Sequence, residues 1–467
     1  MRLWRVWWKT MRLLQPAFKD KRTFIWFLTA CAGITIRKDM AGVTSIIRAI
    51  GLKAHCYDRL LGMFHSKAVS VPKLTSIWKN SVLTLFRPFL YKLNGRIVLI
   101  ADGIKIAKSG KKMPAVKKLY QSSESNTKPA YIFGHSCQAI AVLAGSINSF
   151  FAIPLSCRIH EGLVFSNRSK KTLVDKLALL IQELAFEMPV YLAADAYYAA
   201  RNMILPLIKE GHHLISVVRS NAVAYYPAEQ PQKPRRGAPR KYGPKIKLRT
   251  LFNDLDNMAS MESPVYGEHK IHLKYRTIDL LWRRIGIMVR FVAVIHPIRG
   301  KKIFMTTDLS LSAVDLIRIY GYRFKIEIAF KQAIHTIGVY AYHFWMKNMK
   351  PIKRKTGNQY LHRDSEKYRQ NVIRKMGAYH VHMMAGIVTQ GMLQYLSIAH
   401  TNLVWNSFGS WIRTIRPHVL PSEKVVAVAL RNVFPEFLAG SSNNNNLVEF
   451  IRNNIDIERS EGMKMVA

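Results

Sequence analysis

IVLIAD at residues 97–102 and VYLAAD at residues 190–195 are unbroken apolar runs that each end in an aspartate. A run of this length predicts a strand that is buried on both faces, as parallel strands of α/β proteins are. Groups at the carboxyl ends of such strands line the crevice where ligands bind, so Asp102 and Asp195 are predicted to face a common cleft. A strand-terminal aspartate can also simply begin a turn, and this is the alternative for each.

The segments around these two runs predict a mixed α/β layer architecture. Short β-rich stretches follow the first run, a helix precedes the second, and a helix and a strand come after it. These predicted elements cover residues 138–145, 150–159, 170–187, 198–209 and 213–218. Their order fits a ribonuclease-H-like sheet.

We expect five regions along the chain. They are a helical DNA-binding region at 1–95, the first part of a catalytic domain at 96–219, a mainly β insertion subdomain with a basic loop at 220–300, the second part of the catalytic domain at 301–345, and a helical C-terminal region at 346–467. The predicted fold class is therefore α/β, with a ribonuclease-H-like mixed sheet, an insertion and helical regions on either side.

The balance of charge points to a polyanionic partner. The 467 residues include 71 Lys and Arg but only 28 Asp and Glu, a formal charge of +43, and 49% of them are hydrophobic. Such self-repulsion is best tolerated when phosphates neutralise it, which favours double-stranded DNA as the partner. A membrane surface is the competing polyanion. The most apolar segments, 24–36 and 381–399, are respectively too short and too interrupted by polar side chains to span one. We expect a cytoplasmic, nucleoid-associated protein.

The four cysteines argue against a zinc site and against a disulfide framework. Cys31, Cys56, Cys137 and Cys157 are scattered and lack C-x-x-C spacing. Buried thiols are the simpler interpretation.

A third carboxylate is expected on a long helix that begins at Ser312. One face of this helix carries, at spacings of three and four, the side chains of Tyr320, Arg323, Glu327, Lys331 and Ile334. Such a face suits a phosphodiester backbone, although an exposed helix with intrahelical ion pairs would look similar. Neighbouring buried carboxylates repel unless a cation joins them, and two Mg²⁺ ions are the usual solution in nucleases. Asp102, Asp195 and Glu327 are therefore the candidate catalytic and metal-binding residues, with Mn²⁺ as a substitute metal.

Residues 40–66 resemble a helix-turn-helix with Gly51 in its turn. The exposed face would carry Lys53 and Arg59 as DNA-binding residues, while Tyr57 is predicted to line the inside of the second helix. A plain structural hairpin with glycine in its turn would give the same pattern.

The run RRGAPRK at 235–241 resembles a hook for the minor groove of DNA. Arg236, Arg240 and Lys241 would enter or flank the groove, and Ala238 stands where the motif has a central arginine. A solvated basic loop is the alternative.

Three further segments, taken together, resemble the DDE transposases of bacterial insertion sequences. They are IADGIK at 100–105, DAYY at 195–198, and TDLS at 307–310 leading to YGYRFKIE at 320–327. The group numbered four among insertion sequences is the most similar, and its signature is Y-x2-R-x3-E-x6-K. Tyr320, Arg323 and Glu327 satisfy it. The lysine position falls on Ile334, and Lys331 lies one turn earlier.

This resemblance implies hydrolysis at transposon ends, followed by attack of the freed 3′ hydroxyl on target DNA. The three acids would hold two Mg²⁺ ions, and Tyr320, Arg323 and Lys331 would contact backbone phosphates. Joining two DNA ends implies a homodimer in the complex with DNA. The alternatives are a ribonuclease-H-like nuclease without strand transfer and an inactive, transposase-derived DNA-binding protein.

Overall fold

The structure is a computed structural model that describes residues 2–121, 129–146, 149–229, 239–411, 413–440 and 445–458. Helices fill the N-terminal region, as predicted: α1 (Arg2–Met11), α2 (Lys21–Ile36), α3 (Val43–Ile50), α4 (Cys56–Phe64) and α5 (Val71–Leu85). A strand-rich segment follows them. It contains β1 (Lys92–Leu93), β2 (Arg96–Ala107), β3 (Lys117–Tyr120), β4 (Tyr131–Ser146), β5 (Ser149–Ile159) and β6 (Leu163–Val164).

Helices and strands alternate in the next segment, after which strands predominate. The elements are α6 (Leu173–Leu184), β7 (Val190–Ala194), α7 (Arg201–Lys209), β8 (His213–Val218), β9 (Val223–Pro227), β10 (Tyr242–Lys247), β11 (Ala259–Glu262), β12 (His272–Trp282), β13 (Ile287–His296) and β14 (Gly300–Thr306). The remainder is mainly helical, as predicted, with α8 (Ala313–Gly321), α9 (Lys325–Gln332), β15 (Gln359–Tyr360), α10 (Glu366–Ala399), α11 (Thr401–Phe408), α12 (Glu423–Asn432), α13 (Phe434–Ala439) and α14 (Asn446–Asn454).

The chain divides into two compact units. Unit 1 comprises Met1–Leu90, Gly103–Lys170 and Glu327–Ala467, and unit 2 comprises Tyr91–Asp102 and Lys171–Ile326.

Unit 2 is built on a mixed sheet. β7 pairs in parallel with β2 on one side and with β8 on the other, which accounts for their unbroken apolar sequences. From β8 the sheet continues through β14, β13 and β12 in antiparallel pairs. The strands of the predicted insertion thus extend the same sheet. The mixed α/β class predicted from the sequence is confirmed, and the arrangement is consistent with a ribonuclease-H-like fold.

Unit 1 is organised around α10, a helix of 34 residues that packs against β5, α2 and α5. Its buried surface includes Gln390 and Gln394, whose amides donate to the carbonyls of Ala329 and Ala152 at 2.9 and 3.3 Å. Polar groups of this kind suit the core of a protein better than lipid. Across the described ranges, no helix combines the length and the apolar character that crossing a membrane requires.

Lys108 is an unusual core residue of unit 1, because only 7% of its surface is exposed. Its ammonium group donates to the carbonyl oxygens of Tyr340 and Tyr342 and lies 3.8 Å from the centre of the Tyr342 ring. Burial lowers the pKa of Lys108 from 10.5 to about 8. The folded chain therefore releases this proton at a lower pH than the unfolded chain does.

We expect the Lys108 side chain to make stability depend on pH. Between pH 8 and 10.5 the unfolded state binds more protons than the folded state, so the free energy of unfolding should increase with pH over that interval, by roughly 2 kcal/mol. The Lys108→Met variant should lack this increase, whereas Lys111→Met, at an exposed neighbouring lysine, should keep it. Denaturant titrations at several pH values measure the difference, and parallel curves for all three proteins would contradict the assignment.

Candidate active site

Asp102 and Asp195 lie beside each other at the edge of the parallel strand pair in unit 2. The register pairs Ile97 with Val190 and ends with Ala101 opposite Ala194, so the two aspartates follow directly after the last pair. Both side chains are partly exposed. The structure thus brings together the first two predicted acids.

Asp102 does not end its strand, however. β2 continues to Ala107, so the predicted strand end at Ala101 is wrong. Beyond Asp102 exposed side chains alternate with less exposed ones, and the pairing with β7 has ended at Ala101. An alternating stretch with one polar face is a weaker signal in the sequence than the unbroken run that precedes it.

Asp195 does begin a turn, as the alternative interpretation proposed. Its Oδ1 atom accepts a hydrogen bond of 2.6 Å from the backbone N–H of Ala196, at the start of a 3₁₀ turn over Ala196–Tyr198. The same side chain also lines a cavity within unit 2. Capping a turn and facing a ligand site are therefore compatible at this residue.

Arg323 forms an ion pair with Asp102. The distance from Nη1 to Oδ2 is 2.8 Å, and the two side chains are 19% and 22% exposed. The guanidinium carbon also lies 5.8 Å from the centre of the Tyr320 ring. Arg323 therefore lies between the first aspartate and the Tyr320 ring.

Tyr320 adds an electrostatic link to both aspartates. Burial raises the pKa of Tyr320, Asp195 and Asp102 raise it further through their negative charges, and Arg323 opposes them. The phenol ring is held in an edge-on contact with Phe304 of β14, with 5.3 Å between the ring centres. Asp102, Asp195, Tyr320 and Arg323 thus form one cluster within unit 2.

Glu327 and Lys331 lie in α9, where both side chains are exposed. The single long helix predicted from Ser312 is wrong, because a 3₁₀ turn over Tyr322–Phe324 separates α8 from α9. The helix does begin as predicted, with the Ser312 side chain accepting from the N–H of Asp315. Unit 1 resumes at Glu327. The convergence of Glu327 with the two aspartates stays a prediction.

Asp308 is a further acid near the strand ends, and its role is structural. Its Oδ2 atom accepts from the hydroxyl of Tyr191 at 2.6 Å, and its Oδ1 atom accepts from the N–H and the hydroxyl of Ser310. Burial opposes ionisation of this carboxyl, but these hydrogen bonds keep its pKa below the ordinary value. Asp308 therefore fixes the loop that leads into α8.

The donor set suits a hard divalent cation. Two carboxylates on adjacent parallel strands offer oxygen ligands of the kind that Mg²⁺ and Mn²⁺ prefer. Among the described residues, no group of three or more His, Cys, Asp and Glu side chains is arranged to hold a metal ion. Asp102 and Asp195 would therefore be the foundation of such a site, and a third ligand is needed to complete it.

A basic cavity of about 850 Å³ opens beside Asp195 within unit 2. Three arginines line it, Arg219 after β8 and Arg283 and Arg284 in the turn between β12 and β13, and all three are exposed. Tyr197 and Tyr225 contribute aromatic surface. Sequence reasoning missed these arginines, although the pair in LLWRRIG marks the tip of a hairpin.

A second cavity of unit 2, of about 400 Å³, is lined in part by Tyr320 and Arg323. Arg299 and Lys302 line it together with apolar side chains such as Leu273 and Ile317. Both of these cavities, which share residues with the aspartate cluster, are thus lined by cationic side chains.

The predicted helix-turn-helix residues lie in the N-terminal helices. α3 and α4 form a hairpin whose turn is Gly51, a glycine with φ +77°, and Lys53 and Arg59 are exposed. Tyr57 is 39% exposed, so the prediction that it lines the inside of the second helix is wrong. These contacts stay predictions.

The predicted minor-groove hook falls on a segment that the structure covers only in part. Arg240 and Lys241 are exposed and lie immediately before β10. Arg236 lies outside the described residues.

Comparison with known protein families gives one match. A family model described as DDE superfamily endonuclease matches residues 14–283, more than half of the chain. The matched segment includes both aspartates of the cluster and ends before Glu327. No curated protein matches the chain.

Proposed function

Because the chain belongs to the DDE superfamily endonucleases, we propose that it is a DNA transposase of the group numbered four among insertion sequences. In this proposal it hydrolyses phosphodiester bonds at transposon ends and then transfers the 3′ hydroxyl into target DNA. Double-stranded DNA is its substrate, and two copies of the chain act together as a homodimer when two ends are joined.

The observation that carries this proposal is the register of β2 and β7. It sets Asp102 and Asp195 side by side at the end of a parallel pair, with Arg323 2.8 Å from the first and Tyr320 electrostatically linked to both. Phosphoryl transfer needs little covalent chemistry from a protein, but it needs a positioned phosphate and a means of neutralising its charge. The cluster supplies groups for both tasks.

Each side chain has a distinct role in the proposed reaction. Asp102 and Asp195, with Glu327 as the third ligand, would hold two Mg²⁺ ions, or Mn²⁺ in their place. The bound ions would supply charge neutralisation at the phosphoryl oxygens. Tyr320 and Arg323 would orient the phosphate next to the cut. Lys331 would contact the backbone, since Ile334 occupies the signature's lysine position.

The basic surface of unit 2 supports a path for DNA to the aspartates. The cavity beside Asp195 is lined by three arginines, and its volume suits a few nucleotides of one strand rather than a duplex. Duplex contacts farther from the cut are assigned to Lys53 and Arg59 in the N-terminal hairpin, and to Arg236, Arg240 and Lys241 in the basic loop. Phosphate contacts of this kind position DNA without reading its sequence.

Two alternatives have observations in their favour. The matching family is described as an endonuclease, which leaves open cleavage without strand transfer. The isoleucine at position 334 favours an inactive, transposase-derived DNA-binding protein. Joined products separate the first alternative from a transposase, and any metal-dependent cleavage removes the second.

The test is the Glu327→Gln variant, assayed with DNA that carries the terminal inverted repeats and with Mg²⁺. We expect cleavage to slow by at least about 100-fold, because the amide keeps the shape of the side chain and removes the charge that helps to hold a cation. Gel analysis of nicked, cut and joined DNA measures each step separately.

Glu183→Gln is the matched control, since Glu183 is an exposed glutamate on α6. It should cleave and join DNA as the wild type does. Undiminished cleavage by Glu327→Gln would remove Glu327 from the site. A wild-type chain that binds the repeats and never cuts them, with either Mg²⁺ or Mn²⁺, would contradict the proposed activity.

A further inference from the structure

Trp345 is exposed over 63% of its surface, in an extended segment of unit 1. The segment alternates strictly: Phe344 and Met346 are 4% and 6% exposed, while His343 and Lys347 point outward with Trp345. Tryptophan is rarely left in water without a reason, because its large apolar ring gains so much from burial. The exposure of this ring therefore calls for a partner.

The backbone holds Trp345 in its outward position. The N–H of Met346 donates to the carbonyl of Lys112 at 2.9 Å, and the N–H of Ile352 donates to the carbonyl of Lys111 at 2.8 Å. A shift by one residue would break these bonds and expose Phe344 and Met346, so the ring cannot turn inward locally. Gly110 also lies against the ring, where an added Cβ would be 2.9 Å from its Nε1 atom.

The surroundings of Trp345 carry one sign of charge. Between Glu327 and Asp364 the sequence has seven Lys and Arg and no acid. Lys111, Lys347 and Lys350 are exposed, and the Lys112 ammonium bonds to the carbonyl of Lys347 at 3.3 Å. A projecting aromatic ring among lysines is the arrangement that binds single-stranded nucleic acid, in which bases stack on the ring and phosphates meet the cations.

We propose that Lys111, Lys112, Trp345, Lys347 and Lys350 form a platform that binds an unpaired DNA strand, with one base stacked on Trp345. Trp345, Lys347 and Lys350 lie outside the segment that matches the endonuclease family, whereas Lys111 and Lys112 lie within it. None of the five residues belongs to the aspartate cluster. The proposal rests on the proposed function only in taking DNA as the substrate. Stacking requires a base that is not already paired and stacked in a duplex, so a single strand is the preferred ligand.

The test is the affinity of the full chain for a fluorescent single-stranded oligonucleotide of 20 nucleotides, measured by polarisation in EDTA so that no cleavage occurs. We expect Trp345→Ala to raise Kd by about 10-fold, because stacking contributes about 1–3 kcal/mol per base. Trp345→Phe should restore binding to within about 3-fold of the wild type, since a ring is what the base needs.

Trp411→Ala is the matched control, because Trp411 is also an exposed tryptophan of unit 1. It should bind as the wild type does. Equal Kd values for the wild type and Trp345→Ala would overturn the platform, as would equal losses from both tryptophan variants. If Trp345→Ala lost affinity for duplex DNA by the same factor, stacking of Trp345 on an unpaired base would be contradicted. The two proposals can fail separately. If the wild type cleaves DNA but Trp345→Ala binds the strand equally well, only the platform is contradicted. If binding depends on Trp345 but the wild type never cleaves DNA, only the proposed enzymatic activity is contradicted.

Discussion

Cleavage by the Asp102→Asn variant is expected to be slower than that of the wild type by at least about 1,000-fold, equivalent to about 4 kcal/mol in the barrier. Asparagine keeps the size of the side chain and one carbonyl oxygen but loses the negative charge. The Arg323 guanidinium 2.8 Å away would then be the dominant local charge and would repel a divalent cation. Asp195→Asn should lose a similar factor, because the register gives the two acids equivalent positions.

Single-turnover cleavage of end-labelled DNA measures the loss of rate. DNA binding measured in EDTA shows whether the cleavage step or the binding of DNA is impaired. Both variants should retain most of their affinity for DNA, since cations rather than acids contact phosphates. Asp256→Asn, at an exposed aspartate of unit 2, is the matched control and should cleave normally. A rate for Asp102→Asn within 10-fold of the wild type would exclude Asp102 from the reaction.

The sequence predicted the strand pair because that part of the fold is decided locally. IVLIAD and VYLAAD are unbroken apolar runs, and only a strand covered on both faces needs such a run. The acids that follow them stood out because the chain has so few. Alternation between strands and helices then predicted the mixed sheet, which the structure confirms.

The parts that sequence reasoning missed depend on packing between distant segments. The turn that interrupts the predicted helix contains Tyr322, whose ring packs 5.4 Å from Tyr91 and 6.0 Å from Tyr266. No local sequence pattern predicts those contacts. Side chains spaced three and four residues apart indicate a helix whether or not a 3₁₀ turn interrupts it. Arg283 reaches the cavity beside Asp195 only because β12 and β13 join the same sheet.

The exposed face of Trp345 was missed for a related reason. Its segment has the alternation of a strand, but it bonds to the loop at Lys111 and Lys112 instead of entering a sheet. Which half of an alternating pattern faces water is settled by that distant loop. Burial of a tryptophan is the default expectation from sequence, and here tertiary structure reverses it.

The end of the helical segment that contains Glu327 is secured from the other end of the chain. α9 runs on through a π-helical turn over Ala333–Ile337, where Gly338 closes it with φ +71°. Arg37, only 4% exposed, donates through Nη2 to the carbonyls of Ile337 and Gly338 at 2.6 and 3.2 Å. A guanidinium suits this place because the last carbonyls of a helix lack partners within it and carry partial negative charge.

Replacement of Arg37 by methionine should therefore lower the free energy of unfolding by roughly 3 kcal/mol. Methionine fills much of the volume but leaves the carbonyl of Ile337 buried without its donor, and an unsatisfied buried group costs about 1–3 kcal/mol. The carbonyl of Gly338 loses one of two donors, because it also accepts from the N–H of Ala341. The midpoint of thermal unfolding should fall by several degrees. Gly338→Ala should destabilise the same helix end, because the added Cβ would lie 2.2 Å from Nη2 of Arg37 and the backbone of Gly338 has positive φ.

Arg48→Met provides the control for lost charge, because Arg48 is 47% exposed and pairs with Asp39 at the surface. An exposed pair contributes about 0–1 kcal/mol, so this variant should melt close to the wild type. Hydrogen exchange of the amides in α9 then locates the effect: faster exchange in Arg37→Met and not in Arg48→Met ties the loss to the end of that helix. Unchanged melting of Arg37→Met would mean that the carbonyls find other donors, and that Arg37 does not hold the helical segment on which Glu327 lies.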